Sequence, residues 1–342
     1  MSEVAMAAPA PPSGPLGGIL AVVARQRELS LLVVMLVLGA FVAIQAPQFL
    51  SISNLTQVTV LASIIGVAAV GQALVVLTRN VDLSVESTMG LVAFVVADVL
   101  AQRLLDMPVA IAAGLLLGLI LGMINGIVVG ALRVPAIVAT LGTLSIYRGI
   151  VFLLAGGKQV TLTDLPEGYT ALARANVFGI PLFFVIALII VVVAAIVLRQ
   201  TRFGRQIYAV GSNPEAAEIL GIRAGLVTFV AFSACGLLAG LAGVLWGMEF
   251  GTINATSATG VTLQVVAAVV VGGVAIFGGS GTVVGAGLGA LFLGFISNSL
   301  VLLRFSQFWL LAIYGVVILA AVALDGYLLR RLQRSTARSR AR

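Results

Sequence analysis

Ten stretches of almost uninterrupted apolar residues divide the chain, at approximately 29–45, 55–77, 83–100, 107–131, 134–154, 177–198, 226–248, 263–277, 283–303 and 308–324. Most approach the roughly twenty residues an α-helix needs to cross the hydrocarbon core of a bilayer. They are continuous, not alternating, which predicts membrane helices and excludes the roughly ten-residue alternating strands of an outer-membrane barrel. The third and eighth are short for a full span, so tilted, broken or partly re-entrant helices are expected there.

The basic residues between these stretches predict which loops share a side. With the N-terminus inside, the inner segments hold Arg25, Arg27, Arg79, Arg133, Arg199, Arg202, Arg205, Arg223 and six arginines from Arg330 to Arg342, fourteen in all. The outer segments hold four: Arg103, Lys158, Arg174 and Arg304. Arg148 falls inside the fifth stretch. Basic residues concentrate on the cytoplasmic side, so ten spans with both termini cytoplasmic are expected, in a bacterial-type inner membrane. The division that follows is a cytoplasmic tail at 1–28, a membrane domain at 29–327 with a long inner loop at about 199–225, and a basic cytoplasmic tail at 328–342. The first tail lacks the apolar core and small-residue cleavage site of a signal peptide.

Composition agrees with this pattern and removes several chemistries. Hydrophobic residues make up 61% and charged residues 9%, and mean hydropathy is +1.20, whereas a soluble domain carries about a quarter charged residues. The net charge of +7 sits largely in the arginine tail. It reads as an anchor near anionic lipid and implies no nucleic acid. The chain has no histidine, which excludes histidine relays, histidine metal ligands and Ser-His catalysis. Cys235 is the single cysteine and reads as a buried filler. No catalytic, cofactor or metal residues are expected. The acids fall mostly at helix ends and in loops, with no dyad deep in a span. Gly278-Gly279-Ser280-Gly281-Thr282 lacks the lysine of a phosphate loop, so any ATP must be bound by another chain.

Glycine recurs every fourth residue in the fourth stretch, at Gly114, Gly118, Gly122, Gly126 and Gly130, and again at Gly281, Gly285 and Gly289 in the ninth. Such stripes let a neighbouring backbone come close. The two stretches also share a short likeness, Leu121-Gly122-Met123-Ile124-Asn125 against Leu293-Gly294-Phe295-Ile296-Ser297. They lie five stretches apart, and an odd offset makes any such repeat inverted, as in many transporters.

The long inner loop carries a compact helix signature. Asn213 suits an N-cap, Pro214 the first position, Glu215 and Glu218 the N-terminal half, and Gly221 the end. A helix of about two turns is predicted. Three motifs then carry a resemblance: Thr78-Arg-Asn-Val-Asp82-Leu-Ser-Val85, Gly211-Ser-Asn-Pro-Glu-Ala-Ala-Glu-Ile-Leu-Gly221-Ile222, and Ala267 through Gly281. With them the chain resembles, from about Gln72 to Tyr327, the permease subunits of ATP-binding-cassette sugar importers of the ribose/xylose/arabinose family. Residues 134–149 and Asp325-Gly326 look closest to the autoinducer-2 and rhamnose branches. The resemblance implies an all-α permease of the type II importer kind. It also implies a separate ATPase, a second permease copy or paralogue, a periplasmic or lipid-anchored solute-binding protein, and a sugar-like substrate. By it, Gly211, Asn213, Glu215, Ala216, Ala217, Glu218 and Gly221 form the helix that couples to the ATPase. A bulky residue at Ala216 or Ala217 is expected to abolish transport and leave the fold intact. Two positions depart from the pattern: Glu86, where glycine is usual, and Thr262, where an acid is usual.

Polar residues inside the apolar stretches remain. Gln72, Asn125, Tyr147 and Asn298 are candidates for the translocation pathway, although an interhelical hydrogen bond is the plainer role for the asparagines. Arg148 is expected to face protein or water or to snorkel outward. By the resemblance, the outer loop from Lys158 to Arg174 is where a binding protein would dock. The function the resemblance implies is that of the permease subunit of an ATP-driven importer working by alternating access on a small sugar or sugar-like solute: a pentose, a deoxyhexose, a sugar alcohol or an autoinducer-2-like furanose. The alternative is a secondary transporter, which needs buried ion sites. An intramembrane enzyme or a channel finds no catalytic constellation and no polar ring.

Overall fold

The structure is a computed structural model that describes residues 27–306 and 308–320. The expectations for most of the N-terminal tail, for Asp325-Gly326 and for the arginine tail lie outside the described residues. All ten apolar stretches are helices: α1 (Arg27–Gln45), α2 (Ile52–Leu77), α3 (Val85–Ala101), α4 (Met107–Gly126, continued by a π-helical turn, Ile127–Ala131), α5 (Ala136–Ala155), α7 (Leu182–Gln200), α10 (Ala224–Phe250), α11 (Val261–Val271), α12 (Val283–Leu302) and α13 (Phe308–Ala320). Three helices lie between them in loops: α6 (Glu167–Arg174), α8 (Arg202–Ser212) and α9 (Pro214–Ile219). Among the described residues seven helices are long and apolar enough to cross a membrane, with α11 and α13 as shorter apolar helices. The third and eighth stretches give the short helices expected, α3 with 17 residues and α11 with 11.

Burial separates centre from rim. The most apolar window of α2 is 89% buried and that of α10 is 67%, against 17% in α7 and 11% in α1. A helix apolar all round and buried all round belongs in the middle of a bundle, and α2 and α10 pack against each other there. At their contact a side chain at Gly71 would stand 3.0 Å from the Cys235 backbone.

The packing repeats itself with the five-helix offset. Just as α4 packs on α10, α12 packs on α2; α10 also covers α3 as α2 covers α11. The pairings agree at residue level. A Cβ at Gly122 would meet the Phe232 and Gly236 backbone at 2.5 and 2.8 Å, and one at Gly294 would meet Ala62 at 3.1 Å. Gly118 lies against Gly236 as Ala290 lies against Gly66. The α4 stripe therefore has a partner stripe the periodicity of α4 alone did not reveal, Gly225, Gly236 and Gly240 of α10. In the second stripe, Gly285 and Gly289 pack on the Gly272 and Ala268 carbonyls, but Gly281 precedes the helix in a turn at φ +124°.

Two boundaries differ from the apolar pattern. The apolar pattern starts the sixth stretch at Val177, yet Asn176–Val177 (β1) and Ile180–Pro181 (β2) pair as a small hairpin before α7 begins at Leu182. Phe178 and Gly179 at its tip both have positive φ, the geometry of a two-residue hairpin turn. The apolar pattern extends the eighth stretch to Phe277, but α11 ends at Val271, and Gly273, Gly278, Gly279 and Gly281 take positive φ in the segment that follows.

Candidate coupling surface and membrane-buried polar site

The ends of α2, α4, α7 and α11 and the starts of α1, α5, α10 and α12 gather at one face of the bundle, as the alternation of basic loops requires. Contacts there tie Gly211 to Leu77, Gly225 to Gly130, and Thr282 to Glu28, whose carboxylate accepts a 2.9 Å hydrogen bond from the Thr282 hydroxyl. The predicted loop helix forms here as α9. The Asn213 side chain accepts from the Ala216 amide at 3.0 Å, Pro214 occupies the first turn, and Gly221 takes φ +80° just past the end. It runs for six residues, slightly under two turns. α8 ahead of it was not foreseen; Thr201 caps it by accepting from Gly204 N at 3.0 Å.

The site residues of this arm divide by burial. Ala216, Glu215 and Glu218 are exposed, and Ile219 and Leu220 present 86% and 77% of their surfaces beside them. Ala217 is buried, so it seats the helix and does not offer a contact. A bulky residue there would displace α9 itself, which corrects the expectation that both alanines could be enlarged without harm to the fold. Gly211 is buried as well. Any side chain on it would collide with the Leu77 carbonyl, and Gly279 donates to that same carbonyl at 3.1 Å. The glycine-rich turn at 278–281 is thus a backbone junction joining the arm to α2. Tyr208 adds to it by donating to Gly281 O at 2.9 Å. Burial pushes its phenol above the ordinary range, against the opposing influence of Arg199, so it stays a neutral donor. Arg133 and Glu218 meet at 3.5 Å, both largely exposed, a pair worth about 0–1 kcal/mol.

Three of the pathway candidates lie together inside the chain. Gln72, Asn125 and Tyr147 are 0%, 1% and 3% exposed. Asn125 donates to Ser84 Oγ at 2.8 Å and to Asp82 at 3.4 Å, and Tyr147 donates to Leu121 O at 3.0 Å. The Gln72 amide, turned to suit its surroundings, donates to Asp82 O and accepts from Asp82 N, both at 3.2 Å. Asp82 organises the group and was missed as one acid among the loop residues. Its carboxylate accepts from Ser84 N at 2.8 Å and Ser84 Oγ at 2.7 Å. The signal was Asp-Leu-Ser just ahead of an apolar run, a side-chain turn of the kind aspartate forms with the amide two residues on. Asn298 lies elsewhere, in reciprocal hydrogen bonds with Asn54 at 2.8 and 3.0 Å.

The two departures from the family pattern touch. Glu86 N donates to Thr262 Oγ1 at 3.1 Å, and Glu86 Oε2 accepts from Gly260 N at 2.9 Å and Thr262 N at 3.3 Å. A carboxylate there satisfies amides that the start of α11 leaves free and suits its dipole. The acid absent at 262 is supplied from 86. Arg148 faces protein: it donates to Ala255 O and Ser257 O, both at 2.9 Å, and approaches Glu86 Oε1 to 3.8 Å.

A bundle with seven helices long and apolar enough to cross a membrane among the described residues, and polar groups paired inside it, defines a multi-pass membrane protein. The chain belongs to the family described as branched-chain amino acid transport system / permease component, which matches residues 54–322. It is 40% identical over 314 residues to the autoinducer 2 import system permease protein LsrC of Salmonella typhi, covering 92% of this chain and 90% of that one. Its likeness to the proteins of the same description from Salmonella paratyphi B (41%, 92% and 90%) and Escherichia coli O9:H4 (40%, 92% and 91%) is equal in extent. No solved structure matches the chain.

Proposed function

We propose that this chain is the membrane permease of an ATP-driven importer for a small sugar-like solute, with autoinducer-2-like furanoses, pentoses and deoxyhexoses as the substrate class. The observation that carries the reading is α9. It is a capped helix at the basic face of the bundle, with an exposed Ile219-Leu220 pair at its tip and a backbone junction through Gly211 and Gly279 to the central helix α2. An apolar pair flanked by charged residues points to a protein partner, and a rigid junction passes its movement into the bundle. The partner is an ATPase chain, which docks on Asn213, Glu215, Ala216, Glu218 and Gly221. A second permease, identical or paralogous, completes the pathway, and a solute-binding protein meets the opposite face. Both termini are cytoplasmic. The relatives' description as autoinducer 2 import permeases supports the solute class.

The test is pull-down of the tagged chain in mild detergent followed by uptake in proteoliposomes. An ATPase should co-purify, and uptake should need ATP. Ala216→Trp should keep expression and thermal stability yet lose ATPase capture and uptake. Uptake that persists without ATP and follows an ion gradient would instead establish the secondary-transporter alternative.

A further inference from the structure

A cavity of about 430 Å³ opens between α2, α10, α11 and α12, towards the face opposite the coupling arm. Gln57, Trp246, Phe250, Gln264 and Ser297 line it, with Asn298 at its side. Its size falls within the roughly 300–1,000 Å³ of small-molecule sites. We propose that this cavity is a binding site for an uncharged polyhydroxylated solute, held by the Gln57 and Gln264 amides over the Trp246–Phe250 aromatic face. The proposal rests on the importer reading and assigns its solute a site within the chain.

Three features carry it. The first is unspent hydrogen-bonding capacity. Asn298 is closed off by Asn54, but the side chains of Gln57, Gln264 and Ser297 have no hydrogen-bond partner among the described residues. Gln264 and Ser297 are half-buried in apolar helices, where polar side chains are costly without partners, while Gln57 is exposed at the cavity's edge; an amide both donates and accepts, as a ring of hydroxyls does. A lipid chain in the same space would leave these groups unsatisfied.

The second feature is the aromatic wall. Trp246 and Phe250, whose rings lie against each other at 4.3 Å and 34°, both line the cavity and supply apolar surface for the C–H side of a sugar ring. The third is the absence of charge. No acidic or basic side chain lines the cavity, and the nearby start of α11 is already occupied by the Glu86 carboxylate. A zwitterionic amino acid would find no partner for its ammonium group and no free helix terminus for its carboxylate. This matters because the family's description names branched-chain amino acids.

The internal repeat shows that such a cavity is not imposed by the fold. Ser297 corresponds to Asn125 by the 172-residue offset that pairs Gly294 with Gly122. Around Asn125 the polar groups are buried and engage one another through Asp82 and Ser84. One half of the chain spends its polar groups internally, while the other leaves them open to a cavity.

The experiment uses the full-length chain in lipid nanodiscs. The protein has two tryptophans, so Trp309→Phe leaves Trp246 as the sole indole reporter. D-Ribose, L-rhamnose and leucine are titrated while its fluorescence is recorded. A saturable change with at least one sugar and none with leucine is expected, and Gln264→Leu should weaken the sugar response at least tenfold. Gln57→Leu, at an exposed position near the start of α2, should weaken it in the same direction, and it serves if Gln264→Leu fails to fold. No sugar response, or a response to leucine alone, would overturn the assignment. ATP-driven uptake by the assembled complex is measured in parallel. Normal uptake with both glutamines replaced would remove the cavity from the pathway and leave the importer reading intact. A Trp246 response in a complex with no ATP-dependent uptake would sink the importer reading and keep the site.

Discussion

At the residue scale, side chains too small or too polar for their surroundings hold the helices together. Gly122 and Gly236 bring two backbones within contact of each other, leaving no room for a Cβ on either side. Gly122→Leu is therefore expected to cost at least the 1–3 kcal/mol of ordinary overpacking, because backbone atoms cannot rotate away as a side chain can. The measurement is the melting temperature of the purified chain, and an unchanged value would refute the close contact. Glu86 and Arg148 pose a different balance. Each side chain is 13% exposed, so removing one partner strands a poorly solvated charge. Glu86→Gln should destabilise by about 1–3 kcal/mol, and Arg148→Lys should not replace the arginine, which reaches both carbonyls through Nη1 and Glu86 through Nη2, because a single ammonium cannot occupy both nitrogen positions. In the Glu86→Gln, Arg148→Gln double variant the loss should fall short of the sum of the two singles by about 0.5–3 kcal/mol. Strict additivity would show that the two groups act apart. The glycine stripe was legible from spacing alone, whereas the Glu86–Thr262 contact joins residues 176 positions apart. Only the packing of α3 on α11 brings those together.

At the scale of the element, α9 was readable in full because each of its determinants is local. The cap, the proline, the early acids and the terminal glycine all act within nine residues. Asn213→Ala should cost this helix about 1 kcal/mol, and Gly221→Val should cost about 1–2 kcal/mol for holding a β-branched residue at φ +80°. Both are expected to lower ATP-driven uptake more than they lower the global melting temperature, because α9 stands outside the core of the bundle. Uptake that tracked the melting temperature in step would contradict that separation. The hairpin at 176–181 and helix α8 escaped sequence reading for a shared reason. Each is short and lies beside a long apolar run whose continuity dominates the pattern. The Phe-Gly turn and the Thr201 cap were present in the sequence, but neither is decisive alone. Gln72, Asn125 and Tyr147 stand out in the sequence as polar residues inside apolar stretches. That they share one buried group with Asp82 depended on the fold, since they come from three different helices.

For the whole molecule, the alternation of basic loops and the contacts at each end tell a consistent story about sidedness. Arg79, Arg133, Arg199 and Arg223 gather at the face that holds α8 and α9, while the 160–181 loop meets the opposite end of α10, where Val160 and Ile253 exchange 2.9 Å backbone hydrogen bonds. Tyr169 anchors that loop by donating to Val244 O at 3.0 Å, and burial raises its phenol above the ordinary range. The contacts fix which loops lie together; the concentration of arginine predicts which face is cytoplasmic. The chain lends itself to a direct test, because its single native thiol, Cys235, is buried at 1% exposure and should not react with a membrane-impermeant maleimide. Thr163→Cys in the outer loop and Ser212→Cys beside α9 place a thiol at exposed positions on opposite faces. In intact spheroplasts Thr163→Cys should label within minutes, and Ser212→Cys should label only after lysis. The reverse pattern would turn the molecule over and put α9 beyond the reach of any cytoplasmic ATPase. Labelling of both in intact cells would show that the two loops share a face, which the ten-helix packing forbids. The expected result is what the proposed function requires, namely solute arriving at the face of the 160–181 loop and ATP-driven movement entering through α9, the Gly211–Leu77 junction and the buried helix α2.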